Sequence, residues 1–537
     1  MCTRGHVVAR PLMPSVADLI VEGLRRAGIP RLYVMGRDGA PVQLLQAARD
    51  QGLGVVVCER ETAAVVMAAV SGELAGRPGA VAVRSGPQVA ASVPGLAHAM
   101  CDRAPVILLS ARDSREQPDA SEKPDPGARV AAEDAARLAA VVKASVTLAA
   151  DSASHWLAHA AQLALKEPRG PVHLDVPTDI LSESTLPLAA NPRPGVPPAP
   201  DVELLDRAAA MIRAARRPIV VAGLERRAPD TAWLRAFCEA VPAPTLATAK
   251  GKGALPDPHP LAMGLLTGGV RDEPLMRRAD LVIAFGVDAA EIGPRPWRYT
   301  APVLRLARCP LVELRASTVG GVPPALEVIG DLATILEELA PRVVGGDARA
   351  DWDVAEIDRL RRERHTALEV ATAGLAPHRV IQLAREITPA GTIASIDPGR
   401  HRALALAHWH AVEPGECLVS NGVGFEGFAV PAAIAAQSAH PDRRVLCFTG
   451  ICGLLLAAPD LAIAADLGLP ITIVAFRDDV GPGGSGVDVR GLSLALGLAA
   501  EAVEDEAGFV RAFARASAVP GPCLIDSRVD AAGYRDD

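Results

Sequence analysis

Short apolar runs, each ending in a glycine or a polar turn and separated by helical segments, recur along the whole chain. In the first third these runs are PRLYVMG, LGVVVCE, GAVAVRSG, APVILLSA and GPVHLDVP. Strands of this kind that alternate with helices favour parallel sheets covered by helices on both faces. The pattern therefore predicts an α/β fold made of doubly wound parallel sheets.

Two breaks divide this pattern into three parts. The proline-rich stretch TLPLAANPRPGVPPAPD has the composition of an extended linker, and the pattern fades again near PRVVGGDARADW. The middle part carries the strand candidates RPIVVAG, APTLAT, ADLVIAFG, LVELRA and LEVIG, and the last part carries GTIASID, CLVSN, RRVLCFTG, LPITIVAF and GPCLIDSR. Because 537 residues exceed what one core holds, we predict three domains, at 12–185, 201–340 and 365–537.

Composition narrows the class of partner. No apolar run approaches the roughly 20 residues of a membrane span, and the opening MCTRGHVVARPLMPS lacks the features of a secretory signal. The net charge is -8 and aromatic residues make up 3% of the chain, which argues against a nucleic-acid surface. We therefore expect a cytoplasmic protein with a small-molecule substrate, no nucleic-acid partner and no membrane association.

Segments in all three parts resemble, in order, the acetolactate synthase branch of the thiamine diphosphate (ThDP) enzymes. They are VVVCERETAAVVMAAVSGELAGRPGAVAVRSGP, TLATAKGKGALPDPHPLAMG, SIDPGRHRALAL, SNGVGFEGFAVPAAIAAQ and the strand-turn-helix-strand stretch RRVLCFTGICGLLLAAPDLAIAADLGLPITIVAFRDD. The resemblance implies pyrimidine-binding-like, central nucleotide-binding-like and diphosphate-binding-like domains. It also implies ThDP and Mg²⁺ as cofactors, at least a homodimer, and chemistry at a carbon-carbon bond of a 2-oxo acid or an acyloin.

Glu61 falls on the position of the family's catalytic glutamate, which hydrogen-bonds the aminopyrimidine ring and promotes proton removal from the thiazolium. A buried carboxyl suits this role because desolvation raises its pKa. The alternative interpretation is an acid at a helix start or on the surface beside Arg60, since charged side chains are mostly exposed.

The resemblance places the remaining site residues in the last third of the chain. The segment that contacts the diphosphate corresponds to Gly399, Arg400 and His401. The predicted cofactor-binding positions also include two in a glycine-rich turn and five in the metal-diphosphate motif: Gly424, Glu426, Gly450, Ile451, Cys452, Gly453 and Asp478.

Several of these positions depart from the family pattern. Ile451 replaces the aspartate that ligates Mg²⁺, and Asp478 stands where a neutral asparagine belongs, so Asp478 is the one predicted metal ligand. Cys452 replaces a glycine and is expected to be a small buried residue rather than a nucleophile. Glu426 occupies the position of a bulky apolar residue, where a buried carboxylate would be costly. The following segment, VGPGGSGVDVRG, is shorter than the one that closes over the cofactor in acetolactate synthases.

These departures leave three hypotheses open. The first is a ThDP enzyme with an altered metal site. The second is a ThDP-free descendant that either uses Glu61, Glu426, Cys452 and His401 for other chemistry in the same cleft or uses a nucleotide in the central domain alone. The third is a non-catalytic subunit that pairs with an active relative. FAD or another nucleotide in the central domain is possible under the resemblance, and a homodimer or a homotetramer is expected.

Overall fold

The structure, a computed structural model, describes residues 13–36, 39–113, 126–186, 195, 197–292, 299–314, 316–343, 350–421, 424, 426–478 and 486–534. For residues 126–128 it describes the backbone alone. Two units are distinguished and are described separately. The first comprises 1–100 and 104–195, and the second comprises 101–103 and 196–537.

The first unit contains one sheet of six parallel strands in the order β2-β1-β3-β4-β6-β5. Its strands are β1 (Arg31–Met35), β2 (Gly54–Cys58), β3 (Gly79–Arg84), β4 (Val106–Arg112), β5 (Ser145–Thr147) and β6 (Val172–Pro177). Its helices are α1 (Val16–Arg26), α2 (Val42–Asp50), α3 (Glu61–Ala75), α4 (Pro87–Cys101), α5 (Pro126–Leu138) and α6 (Ala153–Leu165). Helix α3 is apolar and buried from 63 to 70, so it forms part of the core.

The second unit begins with a central sheet of six parallel strands. These are β7 (Pro218–Ala222), β8 (Thr245–Ala247), β9 (Ala262–Leu265), β10 (Leu281–Phe285), β11 (Val303–Ala307) and β12 (Leu326–Ile329). The associated helices are α7 (Val202–Ala214), α8 (Ala228–Ala240), α9 (Glu273–Met276), α10 (Leu332–Val343) and α11 (Val354–Thr366). The strand order β9-β8-β7-β10-β11-β12 is the dinucleotide-binding order, whose ligand crevice lies between the first and fourth strands, here β7 and β10.

A third parallel sheet completes the second unit. Its strands are β13 (Ile393–Ile396), β14 (Cys417–Val419), β15 (Val445–Gly450), β16 (Ile471–Arg477), β17 (Ala499–Val503) and β18 (Cys523–Arg528). Its helices are α12 (Pro377–Ile387), α13 (His401–His408), α14 (Ala429–Ala439), α15 (Ile451–Leu456), α16 (Ala458–Asp466), α17 (Val489–Ala495) and α18 (Glu506–Ala518). The order β14-β13-β15-β16-β18-β17 repeats that of the first sheet.

Three six-stranded parallel sheets with flanking helices confirm the predicted fold class. One predicted strand is wrong: in LVELRA, residues Leu311–Leu314 form a turn, and the strand lies earlier, at β11. Arg305 interrupts the apolar run of β11. A prediction that relies on continuous apolar runs therefore misses this strand. The short strands β5 and β9 and the five-residue strand β17 were also not predicted. The domain limits stay a prediction.

Candidate active site

The metal-diphosphate motif lies at the carboxyl end of β15. Gly450 is the last residue of that strand and precedes the first turn of α15, so the predicted strand, glycine turn, helix and strand are confirmed, with the helix divided at Ala457. A Cβ atom at Gly453 would lie 2.0 Å from Oδ2 of Asp397, so this position requires glycine. Close packing between α15 and the end of β13 therefore depends on a residue without a side chain.

Asp397, which was not predicted as a site residue, organises the loops around this turn. Its Oδ1 accepts hydrogen bonds from the backbone N–H groups of Phe428 and Ala429 at 2.8 and 2.9 Å. Its Oδ2 accepts from the Thr449 hydroxyl at 2.7 Å and from the Gly427 N–H at 3.3 Å. Burial raises the pKa of Asp397 to about 6, although these hydrogen bonds oppose the shift. The signal in the sequence was an aspartate directly after an apolar strand, in SIDPG.

His401 lies beside the same turn. Its ring stacks on Phe476 with centroids 4.9 Å apart, and a Cβ at Gly450 would lie 3.7 Å from that ring. His401 is 2% exposed, and its Nε2 atom has no hydrogen-bond partner among the described residues. The amide Nδ2 of Asn421, which follows β14, is buried and equally lacks a described partner. Burial lowers the pKa of His401 to about 4.

Unsatisfied buried polar atoms are costly, so they indicate a polar ligand. The His401 and Asn421 atoms follow β13 and β14, at the edge where ligands bind in open parallel sheets. Together with the glycine at Gly450, these atoms fit the polar end of a cofactor such as ThDP.

Arg400 and Asp478 form an ion pair near this edge. Arg400 Nη1 lies 3.3 Å from Asp478 Oδ2, and the guanidinium lies 4.7 Å from the centre of the Tyr534 ring. The neighbouring Arg477 is buried, and its Nη2 lies 2.9 Å from Oδ2 of Asp526. This ion pair fixes the Arg477 side chain within the protein. Ile451 is 8% exposed and offers no ligand atom. The described residues therefore do not fit a conventional Mg²⁺ site.

Two of the predicted positions, Cys452 and Glu426, are more exposed than expected from the sequence. Cys452 is exposed, which corrects the expectation that it is a buried residue, because it lies on the outer face of the short helix α15. Glu426 and Gly424 are also exposed, so the Glu426 carboxylate carries no burial cost here. Most of the short segment after Asp478 lies outside the described residues, and α17 begins at Val489.

Glu61 belongs to the first unit, where it is the first residue of α3. It follows β2 and is partly buried, whereas the prediction favoured a buried carboxyl. A carboxylate in the first turn of a helix also interacts favourably with the helix dipole.

The crevice of the central sheet is the place where a nucleotide would bind in this topology. At its crevice, Glu291 Oε2 accepts from the backbone N–H groups of Leu224 at 2.9 Å and Asp288 at 3.0 Å. The Glu291 carboxylate thus accepts hydrogen bonds from backbone amides that follow β7 and β10. A dinucleotide phosphate binds in this region in this topology. Burial raises the pKa of Glu291 to about 7. These two amides are therefore occupied by Glu291 and are not available to a dinucleotide phosphate.

Lys252, in the turn KGKG that follows β8, is also engaged within the protein. It is 4% exposed, and its Nζ lies 2.6 Å from Asp257 Oδ2.

Family models match all three sheets. The thiamine pyrophosphate enzyme N-terminal TPP binding domain matches residues 14–134, the central domain matches 205–339, and the C-terminal TPP binding domain matches 397–527. The chain is therefore built from the three domains of a thiamine diphosphate enzyme.

Curated relatives narrow the family further. The catabolic acetolactate synthase of Raoultella terrigena is 27% identical over 97% of this chain and 95% of its own length. Acetolactate synthase of Bacillus subtilis is 26% identical over 86% of this chain and 81% of its own length. The large subunit of acetolactate synthase isozyme 1 from Escherichia coli is 31% identical, but the match spans 58% of this chain and 55% of that protein. The chain belongs to the acetolactate synthase-like branch of the ThDP enzymes.

In the described part of the chain, no helix combines the length and the apolar character needed to cross a membrane.

Proposed function

We propose that this chain is a ThDP-dependent enzyme that makes or breaks a carbon-carbon bond in a 2-oxo acid or an acyloin. The observation that carries the proposal is the buried Nε2 of His401, which has no hydrogen-bond partner among the described residues and lies beside the glycine turn at Gly450. Similarity to proteins named acetolactate synthases supports the reaction class. Bound ThDP supplies the carbanion-stabilising centre for such chemistry.

In this proposal the diphosphate end of ThDP lies at the carboxyl edge of the third sheet. Asp397 holds the loop before α14 and the end of β15 in place, and thereby positions the groups that bind the cofactor. The cofactor-binding set is the one that the resemblance implied: Gly399, Arg400, His401, Gly424, Glu426, Gly450, Ile451, Cys452, Gly453 and Asp478.

The metal site in this proposal is altered. The Arg400 guanidinium supplies positive charge near the diphosphate, and its partner Asp478 is the remaining candidate ligand for Mg²⁺. To bind the metal ion, the Asp478 carboxylate would have to release its ion pair with Arg400. We therefore expect cofactor binding to depend less on Mg²⁺ than in relatives whose turn carries an aspartate.

Glu61 is proposed to exchange the proton that activates ThDP. Replacing Glu61 with Gln keeps the shape of the side chain but removes its acid-base function. We expect Glu61→Gln to lower turnover of 2-oxo acids by about 10²-fold or more, with ThDP binding unchanged. The exposed neighbour supplies the control, since Glu59→Gln should retain wild-type turnover. Equal activity of Glu61→Gln and wild type would contradict this role.

We also propose a homodimer or homotetramer. Leu455 and Leu456 of α15 are 37% and 51% exposed, next to the exposed Cys452. Neighbouring exposed apolar side chains of this kind suit a protein interface. Sedimentation of a monomer at micromolar concentration would contradict the proposal. The cytoplasmic location stays a prediction.

A ThDP-free descendant is the second candidate. Ile451 at a ligand position and the Arg400–Asp478 ion pair favour it, because both reduce the capacity for a metal-bound diphosphate. The exposed groups Cys452 and Glu426 would then be available for other chemistry. A non-catalytic subunit would behave in the same way in binding assays, and would be distinguished by co-purification with an active relative.

A further inference from the structure

Four of the twelve histidines of this chain gather where the ends of α11 and α13 approach α12. The His365 ring centroid lies 4.6 Å from that of His408 and 5.8 Å from that of His410. The His378 ring lies 5.9 Å from His408. All four belong to the second unit, and the group is separate from the proposed ThDP site.

Three side chains of this region offer ligand atoms at close range. One atom each from His365, Glu369 and His408 lies within 4.8 Å of the other two. His365 Nε2 and Glu369 Oε1 are 4.0 Å apart. Ligand atoms around a tetrahedral Zn²⁺ are about 3.4 Å apart, given bonds of about 2.0–2.2 Å to nitrogen and oxygen. Small side-chain rotations would therefore bring the three atoms to ligand distance.

His408 provides a second, independent observation. It is 2% exposed, and its Nε2 is buried without a hydrogen-bond partner in the described part of the chain. A buried imidazole nitrogen of this kind calls for a ligand, and a metal ion would supply one.

A polar neighbour holds two of the three candidate ligands. Gln382 Nε2 donates to Glu369 Oε1 at 2.8 Å and lies 3.3 Å from His408 Nδ1. Metal ligands are commonly oriented by such outer hydrogen bonds. The group thus has part of the support that a metal site needs.

A cavity of about 370 Å³ adjoins the site at His365, which is the one proposed ligand among its lining residues. His365 and His410 line it, together with Arg271, Arg361 and Arg364. His365 and Glu369 are partly exposed, at 39% and 33% of their side chains, so an ion could enter without unfolding the region. Three protein ligands leave a fourth position for water or an anion.

We propose that His365, Glu369 and His408 bind one Zn²⁺ ion and thereby join the end of α11 to the end of α13. Two imidazoles and one carboxylate form a ligand set that Zn²⁺ accepts in proteins. The inference does not depend on ThDP chemistry.

The test is calorimetric titration of the chelator-treated full chain with ZnCl₂, in the absence of ThDP. We expect about one tight Zn²⁺ per chain. His365→Asn and Glu369→Gln each change a partly exposed side chain, so the fold should be retained and can be checked by circular dichroism. Each variant should weaken Zn²⁺ binding by about tenfold or more.

An exposed histidine pair provides the matched control. His155 and His159 of α6 stack with centroids 6.2 Å apart and could bind Zn²⁺ adventitiously. The double variant His155→Ala/His159→Ala should bind Zn²⁺ as the wild type does, and Zn²⁺ should raise the Tm of both. The proposal is overturned if the wild type binds no Zn²⁺, if His365→Asn and Glu369→Gln bind it normally, or if only the control variant loses it.

Discussion

Asp397 connects the end of β13 with the loop before α14 and with Thr449 at the end of β15. Both of its oxygens accept hydrogen bonds, and the side chain is fully buried. A carboxylate in this position fixes the backbone around the proposed cofactor site. The residue therefore acts through the loops that it holds.

Asp397→Asn replaces one of the two accepting oxygens with an NH₂ group. The groups that donate to that oxygen would then face a second hydrogen-bond donor. We expect the free energy of unfolding to fall by about 1–3 kcal/mol. Urea denaturation measures the change, with Asp466→Asn, at an exposed helix end, as the control. The control should change stability by less than about 0.5 kcal/mol. Equal stability of Asp397→Asn and wild type would contradict the structural role.

At the same scale, the sequence indicated the positions of the motif but not the environment of each side chain. Gly450 and Gly453 fall at the turn that the pattern indicated. The exposure of Cys452 and the pairing of Arg400 with Asp478 depend on neighbours brought in by distant segments. Such contacts leave no periodic signal in the local sequence.

Arg305 shows how an element can carry a buried charge. It lies in β11 with 0% exposure, and its guanidinium contacts Glu225 at 2.8 Å and Glu327 at 2.7 Å. It also donates to the Cys309 carbonyl at 2.7 Å. The strand is stable with an arginine at its centre because its donors are satisfied inside the protein.

Arg305→Met would leave the Glu225 carboxylate buried without its main partner. We expect a loss of about 3–5 kcal/mol of unfolding free energy. Chemical denaturation of the variant tests this, and Arg359→Met, which removes an exposed pair with Glu363, should cost less than about 1 kcal/mol. Similar losses in the two variants would show that the buried pair has no special weight.

His173 joins three strands of the first sheet. It lies on β6, and its nitrogens are 2.8 Å from the Ser110 hydroxyl of β4 and 2.6 Å from the Ser145 hydroxyl of β5. Burial lowers its pKa to about 4. The short strand β5, which the sequence pattern did not indicate, is thus held to its neighbour by a side chain as well as by the backbone.

The lowered pKa of His173 predicts a pH dependence of stability. The unfolded chain takes up a proton near pH 6.5 and the folded chain does not, so the contribution is complete above about pH 6.5 and is lost as the pH falls toward about 4. His173→Gln should therefore lose less Tm than the wild type between about pH 7.5 and about pH 5. An identical loss in both proteins would contradict the prediction. His401 titrates in both proteins, and the comparison removes its effect.

The sequence predicted strands best where they are continuous and apolar. All five predicted strands of the first third and all five of the last third are present. The strands that were missed are short, as β5 and β9 are, partly exposed, as β17 is, or interrupted by a buried charge, as β11 is. These strands form because groups elsewhere in the chain satisfy the hydrogen bonds of their backbone and side chains.

For the whole molecule, the sheets could be inferred from the apolar runs that recur in each third of the sequence. The family could be inferred from the segments that resemble the acetolactate synthase branch. The strand orders could not be inferred in the same way. The first and third sheets share one order, whereas the central sheet has the dinucleotide-binding order with an internal carboxylate at its crevice. A carboxylate that occupies the place of a ligand phosphate can be recognised only when the positions of residues from several loops are known.

Calorimetric titration of the cofactor-stripped chain with ThDP, first with Mg²⁺ and then with EDTA, tests the central claim most directly. We predict that the wild type binds about one ThDP per chain in Mg²⁺. Replacing Mg²⁺ with EDTA should weaken ThDP binding less in the wild type than in Ile451→Asp, because that variant restores an acidic ligand at the turn. Absence of ThDP binding under both conditions would contradict the account and favour the ThDP-free descendant.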